Sequence, residues 1–368
     1  MTEADVVSTT RLVLALSFLI GVLFGAIAQR TRFCTMGAVA DLAVTGDSTR
    51  MRMWGVALGT AIVGFNALVW LGQVQAADSI YAGTRVLWLS ALIGGLMFGV
   101  GMVLASGCTS KNLLRMGTGN LKAVVVLLMV ALAGFATLKG ITAVVRVHTV
   151  DAVFFSLERG QDLPTLVAGF SGWSTQDVAG LIGLSIGTAV LLVSLLPGRW
   201  RDPEIVLGGI GIGALVVAAW WVSGVLGHIA ENPATLEPAF LATSSRRMEA
   251  LSYVSSVSYL VDYLLFFSDT SKVLTVGIVS VVGLVVGAAL QSVASGTFRW
   301  EAFRGVADLR NHLAGGVLMG VGGVTALGCT IGQGLSGMST LSLASGVALA
   351  SMVGGAYLTV KVQMSLPD

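Results

Sequence analysis

Residues 94–121 read GGLMFGVGMVLASGCTSKNLLRMGTGNL, and residues 315–341 read GGVLMGVGGVTALGCTIGQGLSGMSTL. The two stretches align without a gap at an offset of 221 residues, and the alignment continues to residues 134 and 355. Each stretch begins as a glycine-rich apolar segment, reaches a Gly-Cys-Thr triplet and continues into a shorter segment. Two of the three cysteines in the chain therefore lie in register, which chance matches between apolar segments rarely produce. We interpret the pair as an internal repeat.

The composition around this repeat is that of a membrane protein. Of the 368 residues, 55% are hydrophobic and 11% are charged, and the mean hydropathy is +0.87. Soluble globular domains carry roughly 25% charged residues, so too few polar side chains are present to cover a soluble particle of this size. The 48 glycines indicate close helix contacts or broken helices. The net charge of +2 gives no basic footprint for nucleic acid.

A membrane-spanning helix needs about 20 mostly apolar residues. The clearest candidates are residues 12–29, 53–72, 86–106, 121–138, 178–197, 205–227, 273–294 and 341–360. Two weaker candidates are residues 250–267, which contain Asp262, and residues 313–328, which are short and rich in glycine. The sequence therefore predicts an all-α polytopic membrane protein with about nine or ten transmembrane helices. Lys and Arg are concentrated in the connectors after the first and third spans, which favours an N-terminus outside the cell.

Two apolar segments are too short to cross a membrane. Residues 33–44 and residues 107–118 each follow a full span directly, and apolar pieces of about 10–14 residues in such places are typical of buried or re-entrant segments. Non-helical backbone at membrane depth survives only inside protein or beside a wet cavity. We expect the functional residues at these breaks.

The repeat also suggests a domain organisation. A looser similarity pairs residues 21–29 with 283–291, and each is followed by a Val-Ala-Asp-Leu piece, at 39–42 and 306–309. We therefore predict one membrane domain over residues 1–368. Its first repeat half covers 12–138, its second covers 273–361, and connecting helices and loops occupy 139–272. Inverted repeats with broken helices are a common transporter design, and we favour that symmetry.

The residues at the breaks suggest an anion path. A helical piece that begins there has free N–H groups and a positive dipole end, which together bind anions. Gly107 and Gly328 permit a sharp turn and a close backbone approach, while Thr109 and Thr330 can cap the pieces or donate a hydroxyl to a ligand. A thiol is a weak, polarizable donor that suits a soft sulfur atom. Free cysteine usually just packs in a core, but here all three stand at breaks: Cys34, Cys108 and Cys329.

Cationic residues flank the same segments, either as ordinary positive-inside flanks or as anion-attracting groups at each mouth of a path. They are Arg30, Arg32, Lys111 and Arg115 in the first half, and Arg299, Arg304 and Arg310 in the second. The three histidines show no metal-ligand spacing, and the chain contains no P-loop. The sequence therefore predicts neither a metal nor a nucleotide cofactor.

Three segments resemble the YeeE/YedE family of membrane proteins: Gln29 to Cys34, Gly94 to Gly119, and Gly315 to Gly334. The resemblance covers nearly the whole chain, and the placement of the cysteines is its most specific part. It implies uptake of thiosulfate across the bacterial inner membrane, through an hourglass-shaped, all-helical body with short helices dipping in from both faces. It also implies that Cys34, Cys108 and Cys329 line the central path and that a small cytoplasmic sulfur-carrier protein resembling TusA works beside the transporter.

One position departs from the glycine-rich pattern, because Lys111 stands in the register of Gly332 and adds a charge near the path. Other sulfur or selenium species therefore remain possible substrates. Two further hypotheses belong to other classes: a sulfur-transfer enzyme with a persulfide-carrying cysteine, for which Lys111 is three residues from Cys108, and a non-catalytic membrane subunit that anchors a partner. A permease without covalent chemistry is the hypothesis that the residues favour.

Overall fold

The computed structural model describes residues 3–195, 203–233 and 236–365 and is built almost entirely of helices. The first group comprises α1 Glu3–Arg30, α2 Thr35–Val44, α3 Thr49–Trp70, α4 Trp88–Leu104, α5 Thr109–Gly117, α6 Leu121–Lys139, α7 Ile141–His148 and α8 Leu163–Ser171. The second comprises α9 Thr175–Val178, α10 Leu184–Leu195, α11 Pro203–Trp221, α12 Val254–Leu265, α13 Val276–Ala294, α14 Val306–Thr325 and α15 Leu343–Ser365. Segments of π-helix cover Ala179–Gly183, Val222–Leu226 and Gly332–Gly337.

Two short antiparallel ribbons lie among the connectors. Strand β1 (Arg85–Val86) pairs with β2 (Phe155–Ser156), with Arg85 opposite Ser156. Strand β3 (His228–Ile229) pairs with β4 (Ala239–Phe240), with His228 opposite Phe240. These ribbons hold connectors against the ends of the helices and form no sheet that spans the molecule.

Eight helical segments in the described part of the chain are long and apolar enough to cross a membrane, so the chain is an all-α, multi-pass membrane protein. They coincide with the eight clear predicted spans. The described part of the predicted span 178–197 lies within Thr175–Leu195, and residues 196 and 197 fall outside the described ranges. The two weak predictions correspond to α12, an apolar helix of 12 residues, and to α14, a helix of 20 residues.

Glycines set the direction in which the long helices pack. Helices α1 and α13 run parallel, because Gly21 lies against Ser280 and Gly25 against Leu284. Their backbones approach so closely that a Cβ at either glycine would meet carbonyl oxygen, which is the small-residue contact typical of membrane helices. Helices α3 and α11 are also parallel, with residue 53 beside 208 and residue 64 beside 217.

The two repeat-bearing helices run in opposite directions. Gly94 of α4 lies against Gly322 of α14, and Gly101 lies against Gly315. Helix α15 runs parallel to α4, since Gly99 contacts Ala356, and α6 runs parallel to α14, since Gly320 contacts Val130. The four helices thus form a central group of two parallel pairs, α4 with α15 and α6 with α14, which run in opposite directions.

These directions define two faces of the molecule. The Arg30 face contains the end of α1, the start of α3, the connector 118–120 and the connector 295–305. The Trp70 face contains the end of α3, the connectors 71–87 and 140–162, and the start of α15. On the Arg30 face the connectors are tied together by Lys122, whose ammonium lies 2.9 Å from an Asp308 oxygen and 3.6 Å from a Glu301 oxygen.

The predicted short pieces are present in the first half and differ in the second. Residues 33–44 contain α2, and residues 107–118 contain α5. The piece predicted at 306–309 is wrong, because these residues form the first turn of α14. Asp308 accepts the Arg304 amide at 3.1 Å, so the acidic residue stabilises the N-terminus of a long helix and begins no separate short one.

Candidate functional site

The three cysteines, far apart in the sequence, come together in the structure. The Cys34 and Cys108 side chains lie close enough to interact directly, and Cys329 lies close enough to Cys108 for an electrostatic interaction. All three are free and buried, with exposed fractions of 9%, 1% and 0%. The Thr330 side chain also contacts Cys108, so residues from both predicted halves meet at this point.

Each thiol stands at the start of the helical segment that follows it. The Gly37 amide donates to the Cys34 sulfur at 3.3 Å, and the Gly332 amide donates to the Cys329 sulfur at 3.5 Å. The Lys111 amide faces the Cys108 sulfur, and Ser110 Oγ lies 3.2 Å from it. At Cys34 and Cys329 the sulfur accepts from the N–H three residues later, as an N-cap side chain does, whereas Cys108 precedes α5 without such a cap hydrogen bond.

A common backbone turn brings the chain to each cysteine. The residue two positions before the cysteine has a left-handed backbone: Arg32 (φ 55°), Ser106 (φ 54°) and Leu327 (φ 59°). The next amide, of residue 33, 107 or 328, bonds the carbonyl five residues earlier at 2.7–3.0 Å. This is the Schellman pattern that ends a helix, and it lets the chain leave one helix and begin another without unpaired carbonyls.

Gly107 and Gly328, which occupy the same register in the two repeats, allow neighbouring atoms to approach the backbone closely. The left-handed residue of each turn is the one before the glycine. A Cβ at Gly107 would meet Lys111 Cγ at 3.0 Å, and one at Gly328 would meet the Gln333 amide nitrogen at 3.1 Å. Side-chain amides in equivalent register brace both breaks. Asn112 donates to the Gly107 carbonyl at 2.9 Å, and Gln333 donates to the Ala326 carbonyl at 2.5 Å.

A set of buried polar side chains around the thiols has no hydrogen-bond partner. Nearly all buried polar groups in proteins are paired, yet six of the nine unpaired buried side-chain atoms in the described ranges belong to this region. Three are the hydroxyls of the threonines that directly follow the cysteines. The six are Thr35 Oγ1, Thr109 Oγ1, Thr330 Oγ1, Trp54 Nε1, Tyr81 Oη and Tyr253 Oη.

The two tyrosines and the tryptophan join the site from other elements. Tyr81 and Tyr253 both lie beside Cys329, and the Tyr253 backbone contacts its sulfur at the start of α12. The Trp54 ring packs on Gly334 in the π-helical segment after Cys329. No sequence pattern marks these three side chains, because each lies in a connector or on an apolar helix among many similar residues.

A polar cavity on the Arg30 face reaches the first break. It has a volume of about 310 Å³ and borders the break at Ser106. Of the predicted anion-attracting residues it contains Arg115 and Arg304. Its other lining residues are Asn120, Lys122, Glu301, Asp308 and His312.

A second cavity, on the Trp70 face, reaches the second break at Leu327 and Gly328 and has a volume of about 200 Å³. Five serines contribute to its wall, and its two charged residues are Arg146 and Glu249. Cys108 and Cys329 are both buried, and each is within two residues of a cavity-lining residue, Ser106 and Gly328 respectively. The sequence did not single out Arg146 or Glu249, because both stand in connectors that carry no motif.

The remaining predicted cations differ in position. The Lys111 ammonium interacts with both Cys34 and Cys108 as well as with Arg115, so it faces the site directly. Arg30, Arg32 and Arg299 are exposed and do not contribute to the wall of the Arg30-face cavity. No group of three or more His, Cys, Asp or Glu within the described ranges is placed to hold a metal ion.

Comparison with known proteins gives a consistent result over nearly the whole chain. Residues 30–358 match the model of the sulphur transport family. The thiosulfate transporter TsuA of Escherichia coli is 27% identical over 337 residues, which cover 92% of this chain and 91% of that protein. The thiosulfate transporter TsuA of Spirochaeta thermophila is 26% identical over 342 residues, with coverage of 90% and 93%. A probable transporter of Escherichia coli, YedE, is 31% identical over 104 residues, which cover 28% and 24%. The chain belongs to the sulphur transport family.

Proposed function

We propose that this protein is a permease of the bacterial inner membrane for thiosulfate or a closely related soft sulfur oxyanion. The observation that carries the proposal is the meeting of three thiols with six unpaired polar side chains at one buried point. Unpaired buried donors cost free energy, about 1–3 kcal/mol each, unless a ligand satisfies them. A small anion with several oxygens is the ligand that such a set of donors suits.

The thiols select among such anions. Thiosulfate carries three hard oxygens and one soft, polarizable sulfur. Hydroxyl, phenol and indole donors suit the oxygens, while a thiol suits the terminal sulfur. We infer that Cys34, Cys108 and Cys329 contact the sulfur in turn, and that Gly107, Thr109, Gly328 and Thr330 shape the path beside them.

Helix N-termini supply the positive potential that a doubly charged anion requires. The segments that begin at Cys34, Cys108 and Cys329 all direct their first amides toward the thiols, and the dipole of a helix is positive at this end. Lys111 adds one full charge. The anion is thus stabilised mainly by partial charges, which hold it weakly enough to let it leave.

The two polar cavities give the path its entrance and exit. Each touches one of the two Gly-Cys-Thr breaks, from opposite faces, so we infer an hourglass with its narrow part at the thiols. The exposed arginines Arg30, Arg32 and Arg299 would attract anions, or an acidic partner, to the Arg30 face. A TusA-like sulfur carrier at that face is part of the proposal.

The names of the relatives support this substrate class, since two of them, aligned along about nine-tenths of this chain, are called thiosulfate transporters. One structural feature bears on the alternative of a sulfur-transfer enzyme. Lys111 interacts with two thiols, and an amine next to a thiol is what an activated nucleophile needs. Covalent chemistry therefore has to be tested separately from transport.

The test is growth of a sulfur-starved bacterial host that lacks its own thiosulfate uptake. With thiosulfate as the sulfur source, the unaltered protein should restore growth, while Cys108→Ala and Cys329→Ala should not. Ser292→Ala is the matched control, because the hydroxyl of this buried serine donates to the Ala289 carbonyl of its own helix, at 2.9 Å.

Protein levels in the membrane are compared by immunoblot. Full growth with both cysteine variants would remove the thiols from the mechanism, and no growth with the unaltered protein would indicate another substrate. Mass spectrometry after exposure to thiosulfate distinguishes the enzyme, since a persulfide or thiosulfonate adduct on a cysteine would favour sulfur transfer over a permease.

A further inference from the structure

Glu249 is a carboxylate in a place where the proposed substrate must pass. It lines the Trp70-face cavity together with Gly328, which directly precedes Cys329. It is the only carboxylate among the residues that line this cavity. The cavity measures about 200 Å³, so a doubly charged anion inside it lies within a few ångströms of the Glu249 side chain.

The backbone holds Glu249 in this position. The Ser245 amide donates to Glu249 Oε1 at 2.6 Å, and the Glu249 amide donates to Ser223 Oγ at 2.9 Å. Side chain and main chain are thus tied to two different segments. The carboxylate cannot swing into bulk solvent without breaking the first bond, so it stays where the anion arrives.

The charges around Glu249 do not neutralise it. Glu249 forms no ion pair with a described residue. From α7 the cavity contains Arg146, which is paired with Asp151 at 3.0 Å. Two tyrosines also face Glu249: Tyr259 from α12 and Tyr81 from the connector after α3.

Next to Tyr259, Lys272 and Asp262 form a separate ion pair with a distance of 2.6 Å between their charged atoms. Burial raises the pKa of the Glu249 carboxyl above its ordinary value, against the opposing effect of the Ser245 hydrogen bonds. Glu249 therefore keeps its proton to a higher pH than an exposed glutamate does.

We propose that Glu249 is a proton-linked gate of the Trp70-face cavity, which a doubly charged anion enters only as the carboxylate takes up a proton. This inference rests on the proposed function and adds a proton to it. The reason is electrostatic: a carboxylate and a dianion repel each other in a small, partly desolvated space, whereas a carboxylic acid is neutral and donates a hydrogen bond. One proton is taken up at Glu249 for each anion bound, and no covalent bond changes.

The experiment measures initial uptake of radiolabelled thiosulfate into proteoliposomes at subsaturating concentration, with equal pH on both sides, from pH 5.5 to 8.5. Thiosulfate remains a dianion throughout this range. The unaltered protein should lose uptake as pH rises through the pKa of Glu249, by up to about tenfold per pH unit. Glu249→Gln should transport at every pH with no such dependence, at or above the low-pH rate of the unaltered protein.

Glu158→Gln is the matched control, because Glu158 is an exposed carboxylate in a connector on the same face. It should keep the pH profile of the unaltered protein. A Glu249→Gln protein that keeps this profile, or one that is folded but inactive at every pH, would overturn the inference while the permease stands. An unaltered protein without thiosulfate uptake at any pH would overturn the proposed function itself.

A second measurement uses only the unaltered protein and therefore does not depend on how the variant folds. Weakly buffered, detergent-solubilised protein is mixed with thiosulfate at pH 7, and the proton balance is followed with a pH electrode. Uptake of up to one proton per bound anion supports the gate. Binding without proton uptake, at a pH where Glu249 of the free protein is ionised, overturns it.

Discussion

Cysteine is an unusual choice for the N-cap of a helix. Oxygen side chains such as Ser, Thr, Asp and Asn are preferred there because they accept short hydrogen bonds from the first amides. Here the sulfur atoms of Cys34 and Cys329 accept at 3.3 and 3.5 Å, which are long contacts of a weak acceptor. Since a serine would cap these segments better, capping alone does not explain three cysteines. A soft ligand does.

In the Cys34→Ser variant, stability and transport should change in opposite directions. The serine oxygen should form a stronger cap and leave the free energy of unfolding unchanged or raise it by about 0.5–1 kcal/mol. Thiosulfate uptake should fall at least about fivefold, because one soft contact is lost. Thermal unfolding in detergent and uptake into proteoliposomes check the two halves. A serine variant with full uptake would show that the sulfur of Cys34 is not required.

The buried tyrosine hydroxyls should contribute to substrate binding. Tyr253→Phe removes a buried hydroxyl without a partner, so the protein should keep its stability without substrate. Tyr81→Phe also removes an interaction with the Ser252 side chain, so a small loss of stability is expected there. If each hydroxyl binds a substrate oxygen, its loss costs about 1–3 kcal/mol, and the KM for thiosulfate should rise roughly 5- to 100-fold. Tyr357→Phe, at an exposed position on α15, should leave KM unchanged. An unchanged KM in both buried variants would remove the phenols from the path.

The sequence predicts the cysteines as candidate site residues but not their neighbours, for a physical reason. Two Gly-Cys-Thr triplets in register mark breaks in apolar helices, and that local pattern is visible in the chain. Tyr81 and Trp54 reach the thiols only through the packing of α3 and of the connector after it against the segment that follows Cys329. The residues next to Tyr81 and Trp54 in the sequence form no pattern that predicts this contact.

At the scale of the element, the breaks concentrate backbone strain where function is expected. Ser106 holds a left-handed conformation (φ 54°) that costs an L-residue about 1–2 kcal/mol and glycine nothing. Ser106→Gly should therefore raise the free energy of unfolding by about 1 kcal/mol. Ser106→Val, with a branched Cβ, should lower it by about 1 kcal/mol or more. Denaturation followed by circular dichroism measures both, and the same sign for the two variants would contradict a left-handed residue at this position.

The long helices depend on glycine for a different purpose, namely close contact. A Cβ at Gly25 would lie 2.9 Å from the Leu284 carbonyl carbon and 3.0 Å from the Ala288 nitrogen, and backbone atoms cannot move aside easily. Gly25→Ala should destabilise the protein by about 2–3 kcal/mol. Gly354→Ala is the matched control, because nothing lies within 4 Å of its added Cβ and alanine favours a helix by about 1 kcal/mol. Equal effects at the two positions would contradict the α1–α13 contact.

The elements that were hardest to predict carry charges for structural reasons. Helix α14 was predicted only as the weak span 313–328, because Asp308, Arg310 and His312 lower the hydropathy of its first two turns. In the structure Asp308 pairs with Lys122 at 2.9 Å, and His312 bonds the Asp308 carbonyl oxygen at 2.8 Å. These charges fasten the helix to the connectors of the Arg30 face, so a hydropathy window underestimates its length.

For the whole molecule, the packing directions favour an inverted arrangement. We propose that α1 to α6 correspond to α11 to α15 with the π-helical segment Gly332–Gly337 in the place of α5. The antiparallel pair α4 and α14 would lie at the symmetry axis. On this view the halves extend over residues 3–139 and 203–365, beyond the predicted 12–138 and 273–361. Tyr253, at the start of α12, then takes the place of Cys34.

Under this proposed arrangement, the looser similarity does not join equivalent helices. Residues 21–29 and 283–291 lie on α1 and α13, which pack in parallel against each other. Helices related by inversion run in opposite directions, so these two are neighbours and not equivalents. Both need small residues along one shared contact, and that common demand produces the similar spacing of glycines.

The helix directions also fix a topology that can be tested by labelling. Helix α1 ends on the Arg30 face, and α15, parallel to α4, ends there too, so Glu3 and Ser365 lie on opposite faces. Cations in short connectors favour the cytoplasmic side, and the Arg30 face carries them in the connectors 30–34, 45–52 and 295–305.

The three natural cysteines are buried, so a membrane-impermeant maleimide should leave them largely unlabelled in intact cells. Trp173→Cys, at an exposed position on the Trp70 face, should react from outside, whereas Arg299→Cys should react only after the membrane is permeabilised. The reverse labelling pattern would show that the protein has the opposite membrane orientation, with the Glu249 cavity open to the cytoplasm. Reaction of both cysteines from outside would contradict the helix directions themselves.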